Sequence, residues 1–489
     1  MARPALSDPS PKDRPITIGF VNLGCSKNQV DAEVMLGALV QDRFALTPNP
    51  SQAEVIIINT CGFIEEAKQE SINAIIEYGA LKKSGACRVL IASGCLSQRY
   101  QDELLRELPE LDGVVGTGET GRIAEICRAL LAPDAEPRRV WLTPPPFLYD
   151  ELTPRVRLGK AHSAYVKIAE GCNRNCAFCA IPIMRGKQRS RPVASIVEEA
   201  RRLAAEGVKE INLISQDTMN YGVDLGLRHG LVDLLRELVK VNDLRWVRPF
   251  YLYPQPISDE LIALYAGEEK ITKYMDMPFQ HIHDALLKRM HRLGTKAHIT
   301  DLVTRMRARI PGLSFRTAFI VGFPGETRAA FSELKGYLRE MEFDRVGVFC
   351  YSDEEGTPAF ALDRKVDRRL MEERRDELLA IQEAIALKKS RRMIGRTLEV
   401  LVEGVSEETD LLLEARHEGQ APEIDGVVYL NDVTTNLTHP PQASSHPPTP
   451  RLPGQASFHG DAPLPVPGSF VKAEITDASA YDLVGRIVG

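Results

Sequence analysis

The apolar run Ala164-Tyr165-Val166-Lys167-Ile168-Ala169 passes through Glu170-Gly171 into Cys172-Asn173-Arg174-Asn175-Cys176-Ala177-Phe178-Cys179. This junction decides how the chain is read. The run predicts a buried strand. Three thiols follow it within eight residues, spaced C-x-x-x-C-x-x-C. A tight loop with those intervals can wrap three corners of a cubane, and thiolates suit iron–sulfur clusters or zinc. No fourth ligand stands nearby, so one metal corner stays open, as a catalytic metal requires. Structural zinc sites use four-ligand spacings instead. Phe178, just before the last cysteine, would shield a cluster from water.

Downstream, further strands are expected at Glu210–Ser215, Trp246–Tyr253, Tyr274–Met277, Ser314–Val321 and Arg345–Tyr351, with helical stretches between them. Six βα units over residues 158–390 predict an open (β/α)6 partial TIM barrel. Arg368–Arg392 reads as a charged amphipathic helix, a packing spacer with Leu370, Leu378, Ile381 and Ile385 on one face. Polar residues at the C-terminal mouth of such a barrel read as site residues. Gln216 and Asp217 follow the second strand, and Gly322, Gly325 and Glu326 lie in the turn after the fifth. The alternatives are helix capping for the first pair and a plain strand–helix turn for the others. In the basic run Met184–Arg191, Arg185 could meet a small carboxylate, or the run could be a solvated loop. Gln280-His281-Ile282-His283 is read as structural.

Upstream, strands at Ile16–Val21, Val55–Asn59, Arg88–Ser93 and Gly113–Val115 alternate with helical patterns at Asp31–Val40, Ile64–Tyr78 and Gln98–Leu108. That alternation predicts a parallel α/β sheet in an N-terminal domain over residues 14–145. Cys25, Cys61 and Cys95 each lie just beyond a predicted strand end. In an open parallel sheet those ends share one edge, where ligands bind. Three sulfurs distant in sequence can then converge, with Gly24, Gly62 and Gly94 letting the backbone come close. Helix N-termini after the loops favour an anionic cluster. Cys87, Cys127 and Cys350 lack this register and read as core or surface residues. Leu142–Thr153, with Pro144-Pro145-Pro146, reads as a linker.

From residue 393 to 489 the pattern is β-rich, with strands at Leu398–Val402, Leu411–His417, Gly426–Leu430, Phe470–Ile475 and Gly485–Val488. They predict a small antiparallel barrel of OB-like type. Residues 431–467, with nine prolines from Pro440 to Pro467, read as a disordered insertion in it. The chain has 489 residues, 44% hydrophobic and 26% charged, the mix of a soluble globular protein of two or three domains. No stretch is apolar enough for a membrane span, and Met1–Arg14 lacks the apolar core of a secretory signal. Nine cysteines, an odd number, without an export signal predict a reducing, cytoplasmic setting.

On these words, the chain resembles the methylthiotransferase family of radical S-adenosylmethionine (SAM) enzymes. The C-x-x-x-C-x-x-C loop after a first barrel strand is the radical SAM signature, and the tail barrel is of the TRAM type. The words Leu23-Gly24-Cys25-Ser26-Lys27-Asn28, Asn59-Thr60-Cys61-Gly62-Phe63-Ile64, Ile168-Ala169-Glu170-Gly171-Cys172-Asn173 and Ile214-Ser215-Gln216-Asp217-Thr218 resemble most the branch that modifies small-subunit ribosomal protein twelve. Pro is commoner in that branch where Ser26 stands, and the proline-rich insertion is also outside its pattern.

The resemblance implies two 4Fe–4S clusters. One sits on Cys172, Cys176 and Cys179, with SAM chelating its open iron. The other sits on Cys25, Cys61 and Cys95 and is thought to carry the sulfur. SAM serves as methyl donor and as the source of a 5′-deoxyadenosyl radical. The product is a methylthio group on an aspartate β-carbon. Gln216, Asp217, Gly322, Gly325, Glu326 and Arg185 become candidate cofactor contacts. A flavodoxin- or ferredoxin-type electron donor is implied as well.

Charge bears on the substrate. Residues 393–489 hold fourteen Asp/Glu against five Lys/Arg, a balance of −9, and the rest of the chain carries +3. An acidic barrel, with Glu403, Glu407, Glu408 and Asp410 close together, repels RNA and attracts a basic ribosomal protein, free or in the ribosomal subunit. Sequence-specific nucleic-acid binding is therefore not expected. The competing expectations are methylthiolation of a transfer-RNA adenosine and a non-catalytic metal–thiolate scaffold that binds RNA or ribosomes.

Overall fold

Val55-Ile56-Ile57-Ile58 shows no polar alternation, as expected of a strand buried on both faces. The computed structural model, which describes residues 14–134, 139–143, 147–434 and 465–488, places it inside a six-stranded parallel sheet. Its strands are β1 (Thr17–Asn22), β2 (Ala45–Thr47), β3 (Val55–Thr60), β4 (Val89–Gly94), β5 (Gly113–Val115) and β6 (Arg139–Trp141), in the order β2-β1-β3-β4-β5-β6. One face packs Ile18, Val55, Ile57 and Ile91 with Met35, Leu39 and Cys127. The other packs Ile56, Ile58, Leu90 and Ala92 with Ile75, Leu104 and Cys87. The edge strands β2 and β6 escape sequence reading because three residues are too few to show a period. Helices Ser26–Gln41, Glu65–Gly79 and Cys95–Glu107 follow β1, β3 and β4 in the chain. The first and third begin at their cysteines, earlier than periodicity indicates.

The chain divides into two units. The first holds this sheet together with Ala169–Arg191 and Ser352–Phe360. The chain gives β7 (Ser163–Lys167) to the second unit and re-enters the first at Ala169. There β8 (Ala169–Glu170) and β9 (Arg189–Ser190) pair antiparallel and close the base of the 172–179 loop.

In the second unit, β7 is followed by β10 (Glu210–Ile214), β11 (Trp246–Pro249), β12 (Tyr274–Asp276), β13 (Ser314–Val321) and β14 (Arg345–Cys350). They form two parallel triplets, β11-β10-β7 and β12-β13-β14. A bridge from Val247 to Ile271 and the Leu252 N–H to the Asp276 carbonyl (2.9 Å) carry the backbone pairing from β11 toward β12. This is the expected open six-strand barrel. β11 stops at Pro249, short of Tyr253, because Tyr251 leaves the extended region with φ +58°.

The helix Arg368–Arg391 buries Met371, Arg374, Leu378, Gln382 and Ile385. The expected stripe is thus rotated, and Leu370 is exposed. Two polar members can be buried because Arg374 bonds Glu326 (2.6 Å) and Gln382 bonds the Phe343 carbonyl (3.0 Å).

β15 (Thr397–Val405), β16 (Leu413–His417), β17 (Val428–Thr434), β18 (Phe470–Ala478) and β19 (Leu483–Val488) close a barrel in the order β15-β16-β17-β19-β18. Its core holds Val400, Val402, Leu413, Val428, Ala473 and Ile475. Four seams are antiparallel, and β17 with β19 is parallel. Pro144–Pro146 and residues 435–464, most of the expected insertion, lie outside the described residues. No helix among the described residues is long and apolar enough to cross a membrane.

Candidate functional site

β1, β3 and β4 are neighbours, with Asn22 opposite Asn59, Asn59 opposite Ser93, and Thr60 opposite Gly94. Their C-terminal ends therefore lie side by side, and Cys25, Cys61 and Cys95 emerge from that edge. The glycines beside them sit where side chains have no room. An added Cβ would come 2.9 Å from the Cys61 Cβ at Gly24, 2.8 Å from the Leu96 Cα at Gly62 and 2.6 Å from the Asn59 Oδ1 at Gly94. Cys25 is exposed, Cys61 half-buried and Cys95 buried.

Burial pushes the Cys95 thiol up to about 12; Arg185 pulls it down, while Cys61 and Cys25 push it further up. Cys61 is raised chiefly by burial, with the Phe63 backbone N–H opposing and Cys25 adding. Cys25 thus acts on both of the other thiols. Without iron, Cys95 holds its proton at neutral pH, and ligation displaces it.

Asn28 fastens this edge. Its Nδ2 donates to the Leu23 carbonyl (3.0 Å) and the Thr60 carbonyl (2.9 Å), tying the Cys25 loop to the end of β3. Ser71 secures the Cys61 loop, accepting from the Cys61 N–H and donating to its carbonyl (both 3.0 Å).

In the 172–179 loop, the Cys172 N–H donates to the Gly186 carbonyl (3.0 Å), and the Arg174 N–H points at the Cys172 sulfur (3.4 Å). The Cys179 N–H donates to the Cys176 carbonyl (3.1 Å). Met184–Arg191 is largely packed rather than solvated: Arg185, Gln188, Ser190 and Arg191 are buried. Arg191 stacks its guanidinium 4.2 Å above the Tyr149 ring. The Arg185 guanidinium reaches Asp31 (2.8 Å), Glu170 (3.1 Å), the Asn28 Oδ1 (2.6 Å) and the Cys95 sulfur (3.2 Å). Both cysteine sets are therefore held in one unit, and Arg185, which follows the 172–179 loop, reaches Cys95 of the other set.

Ser352–Phe360 braces this arrangement. Glu354 is buried against Arg99 (2.5 Å) and Lys68 (3.1 Å). Arg99 also donates to the Gly62 carbonyl (3.1 Å) beside Cys61. The Ala359 N–H donates to the Ala177 carbonyl (2.8 Å) inside the 172–179 loop.

In the second unit, Gln216 and buried Asp217 follow the C-terminal end of β10, where Asp217 leads into a 3-10 turn, Thr218–Asn220. Gly322 follows β13 with φ +77°, and an added Cβ would meet the Met371 Cγ at 2.2 Å. At that point the close approach is made by the protein's own helix. Glu326 is buried; its carboxylate accepts from the Gly322 N–H (2.5 Å) and Arg374 (2.6 Å). His281 Nδ1 accepts from the Ile282 and His283 N–H groups, which leaves Nε2–H to donate to Glu326 (3.2 Å). Gly325 has φ +92° and donates to the Arg364 carbonyl (2.9 Å). A cavity of about 1030 Å³ lies elsewhere, at the N-terminal starts of β11, β13 and β14. Much of its cationic lining is already paired, as Arg245 with Glu399 (2.8 Å) and Lys389 with Asp344 (2.5 Å).

Three family models match in chain order: Uncharacterized protein family UPF0004 over residues 17–116, the radical SAM superfamily over 166–338, and the TRAM domain over 394–488. The chain is 48% identical over 466 residues to the ribosomal protein uS12 methylthiotransferase RimO of Anaeromyxobacter sp. (strain K), covering 95% of this chain and 92% of that protein. The chain belongs to the ribosomal protein uS12 methylthiotransferase family. The family member of Syntrophotalea carbinolica is 48% identical over 471 residues, 96% of each chain. That of Geobacter sulfurreducens is 46% identical over 471 residues, 96% of this chain and 98% of its own.

Radical SAM methylthiotransferases of this family use two 4Fe–4S clusters and SAM. The donor chemistry here fits that demand: two sets of three thiols, with N–H donors at Cys172 and Cys95. Among the described residues no three His, Cys, Asp or Glu groups close on one metal-ion position. A cubane asks for the opposite, since each thiolate takes its own iron corner. Asn28, Ser71 and Glu354 brace the cysteine loops and are missed by sequence reasoning. Asn28 lies inside one of the family words, but only the fold brings Ser71 and Glu354 to the cysteine loops.

Proposed function

We propose that this chain is a radical SAM methylthiotransferase that places a methylthio group on the β-carbon of an aspartate in ribosomal protein uS12. The observation that carries this is the gathering of two three-cysteine sets into one unit. Relatives at 46–48% identity over nearly the whole chain are named for that substrate, which supports it. We assign residues 14–145 to the domain of Cys25, Cys61 and Cys95, 158–390 to the radical SAM core, and 393–489 to the TRAM-like barrel with its insertion at 431–467.

When bound, a cluster on Cys172, Cys176 and Cys179 supplies the electron that cleaves SAM, and one on Cys25, Cys61 and Cys95 supplies the site where sulfur is carried. The polypeptide holds and orients. The Gly186 carbonyl and the Arg174 N–H fix Cys172. Asn28 and Ser71 fix the loops of Cys25 and Cys61. Gln216, Asp217 and Gly325 are the residues facing SAM, while Gly322, backed by Met371 and with its N–H held by Glu326, shapes the turn beside them.

The barrel receives uS12, free or in the subunit. Exposed Glu407, Glu408, Asp410 and Glu423 support this, since a basic ribosomal protein is drawn to an acidic surface. Glu403 does not belong to that surface; it is buried against Arg416 and His162. A flavodoxin- or ferredoxin-type donor in the cytoplasm supplies electrons.

The test is an anaerobic reaction of reconstituted protein with SAM, sulfide and reductant, offered uS12 and transfer RNA in parallel. Mass spectrometry should find one methylthio group on the uS12 aspartate. A methylthio group on RNA adenosine with none on uS12 would overturn the substrate. Absence of 5′-deoxyadenosine would overturn the enzyme class.

A further inference from the structure

Arg185 is 2% exposed and all five of its N–H donors are engaged. Nη1 serves Asp31 (2.8 Å) and Glu170 (3.1 Å). Nη2 serves the Asn28 Oδ1 (2.6 Å) and the Cys95 sulfur (3.2 Å). Nε serves the same sulfur at 3.3 Å. No donor is left over for the carboxylate of SAM or of a target aspartate. One edge of the guanidinium thus turns two N–H groups on a cysteine sulfur, while the opposite nitrogen is anchored by two carboxylates. The next residue touches the other set, because the Gly186 carbonyl accepts from the Cys172 N–H (3.0 Å).

We propose that Arg185 is a positioning residue that raises the reduction potential of the cluster on Cys25, Cys61 and Cys95, through its paired N–H bonds to the Cys95 sulfur. The proposal rests on the assignment of that cluster made above. Hydrogen bonds to ligand sulfurs and net local charge are the protein's main controls on such potentials. Reduction adds negative charge to iron and sulfur. A buried cation with two donors on the sulfur favours the reduced form, and weak screening around it strengthens the effect. Asp31 and Glu170 offset part of the charge, but from the far nitrogen.

The test uses full-length protein in two backgrounds. With Cys172, Cys176 and Cys179 replaced by Ala, only the second cluster remains; with Cys25, Cys61 and Cys95 replaced, only the SAM cluster does. Arg185→Gln combined with Asp31→Asn keeps the net charge of the buried group at −1 and removes the two-pronged donor. Arg185→Lys keeps the charge but not the fork. EPR-monitored titration reads each midpoint, with iron and sulfide counted per chain.

The double variant should make the second cluster at least tenfold harder to reduce at fixed potential, about 59 mV for one electron. Arg185→Lys should fall between it and the unsubstituted chain, and the SAM cluster should not move. If the double variant fails to retain its cluster, the Arg185→Lys midpoint decides. An unmoved midpoint, or an equal shift in the SAM cluster, overturns the proposal. A chain that keeps Cys25, Cys61 and Cys95 yet assembles no second cluster overturns the underlying assignment instead, before any midpoint is read.

Discussion

Replacing Glu210 by Gln tests what holds the barrel to the core within the second unit. Glu210 opens β10 and its side chain is 0% exposed. It accepts from Arg248 Nε on β11 (3.1 Å) and from Arg416 Nη2 on β16 (2.6 Å). Arg416 also reaches Glu403 on β15 (2.6 Å), which meets His162 (3.2 Å). Burial alone would raise the Glu210 carboxyl, but Arg416 and Arg248 overcome it and bring it from the ordinary 4.5 to about 2. At roughly 1.4 kcal/mol per tenfold, that difference amounts to about 3 kcal/mol. Breaking a buried ion pair from one side costs roughly 3–5 kcal/mol, so two routes agree.

Because the folded value is the lower one, the contribution is complete above the unfolded value of 4.5 and is lost as pH falls toward 2. Denaturant unfolding in a Trp141→Phe background isolates Trp246 on β11, whose ring lies edge-on to Phe470 of β18 (4.9 Å). Glu210→Gln should lose about 3 kcal/mol at pH 7 and converge with the parent near pH 2. A loss under about 1 kcal/mol at pH 7, or one undiminished in acid, would refute the reasoning.

Cys172→Ala should lower the iron content from about eight to about four per chain and abolish 5′-deoxyadenosine, measured by iron assay and chromatography. Asn28→Ala removes the bonds to the Leu23 and Thr60 carbonyls and the acceptor of Arg185. At about 1 kcal/mol each, it should lower iron retention on Cys25, Cys61 and Cys95 while SAM cleavage continues. Gly322→Ala meets both φ +77° and Met371. It should cost about 1–2 kcal/mol from the backbone alone, with a further penalty that Met371→Ala relieves, so the pair is less than additive in thermal unfolding.

Regular patterns in the sequence are legible because the physics behind them is local. Runs such as Val55–Ile58 announce buried strands, and three cysteines in one βα register announce a shared edge. The long helix is visible in the sequence, but its buried face is not, because Arg374 and Gln382 are inward only by virtue of distant partners. The basic run Met184–Arg191 leaves a carboxylate contact and a solvated loop equally open for the same reason: nothing local reveals that Asp31, Glu170 and Tyr149 await it. Glu403 sits among exposed acidic neighbours in the sequence, though Arg416 and His162 draw it inside. Gly322 has the look of a ligand-facing glycine, and only the fold shows Met371 in its shadow.

The brace Ser352–Phe360 has a consequence for how the protein is made. All six cysteines of the two sets have been synthesised by residue 179, yet the Arg99–Glu354 and Ala177–Ala359 contacts wait for residues 354 and 359. At about 5–20 residues per second, this interval lasts on the order of ten seconds. During it the nascent chain carries both thiol sets without the segment that steadies the Gly62 and Ala177 backbone. Iron delivered before that segment emerges would meet an unfinished receptacle, so cluster insertion belongs after Ser352–Phe360 has left the ribosome.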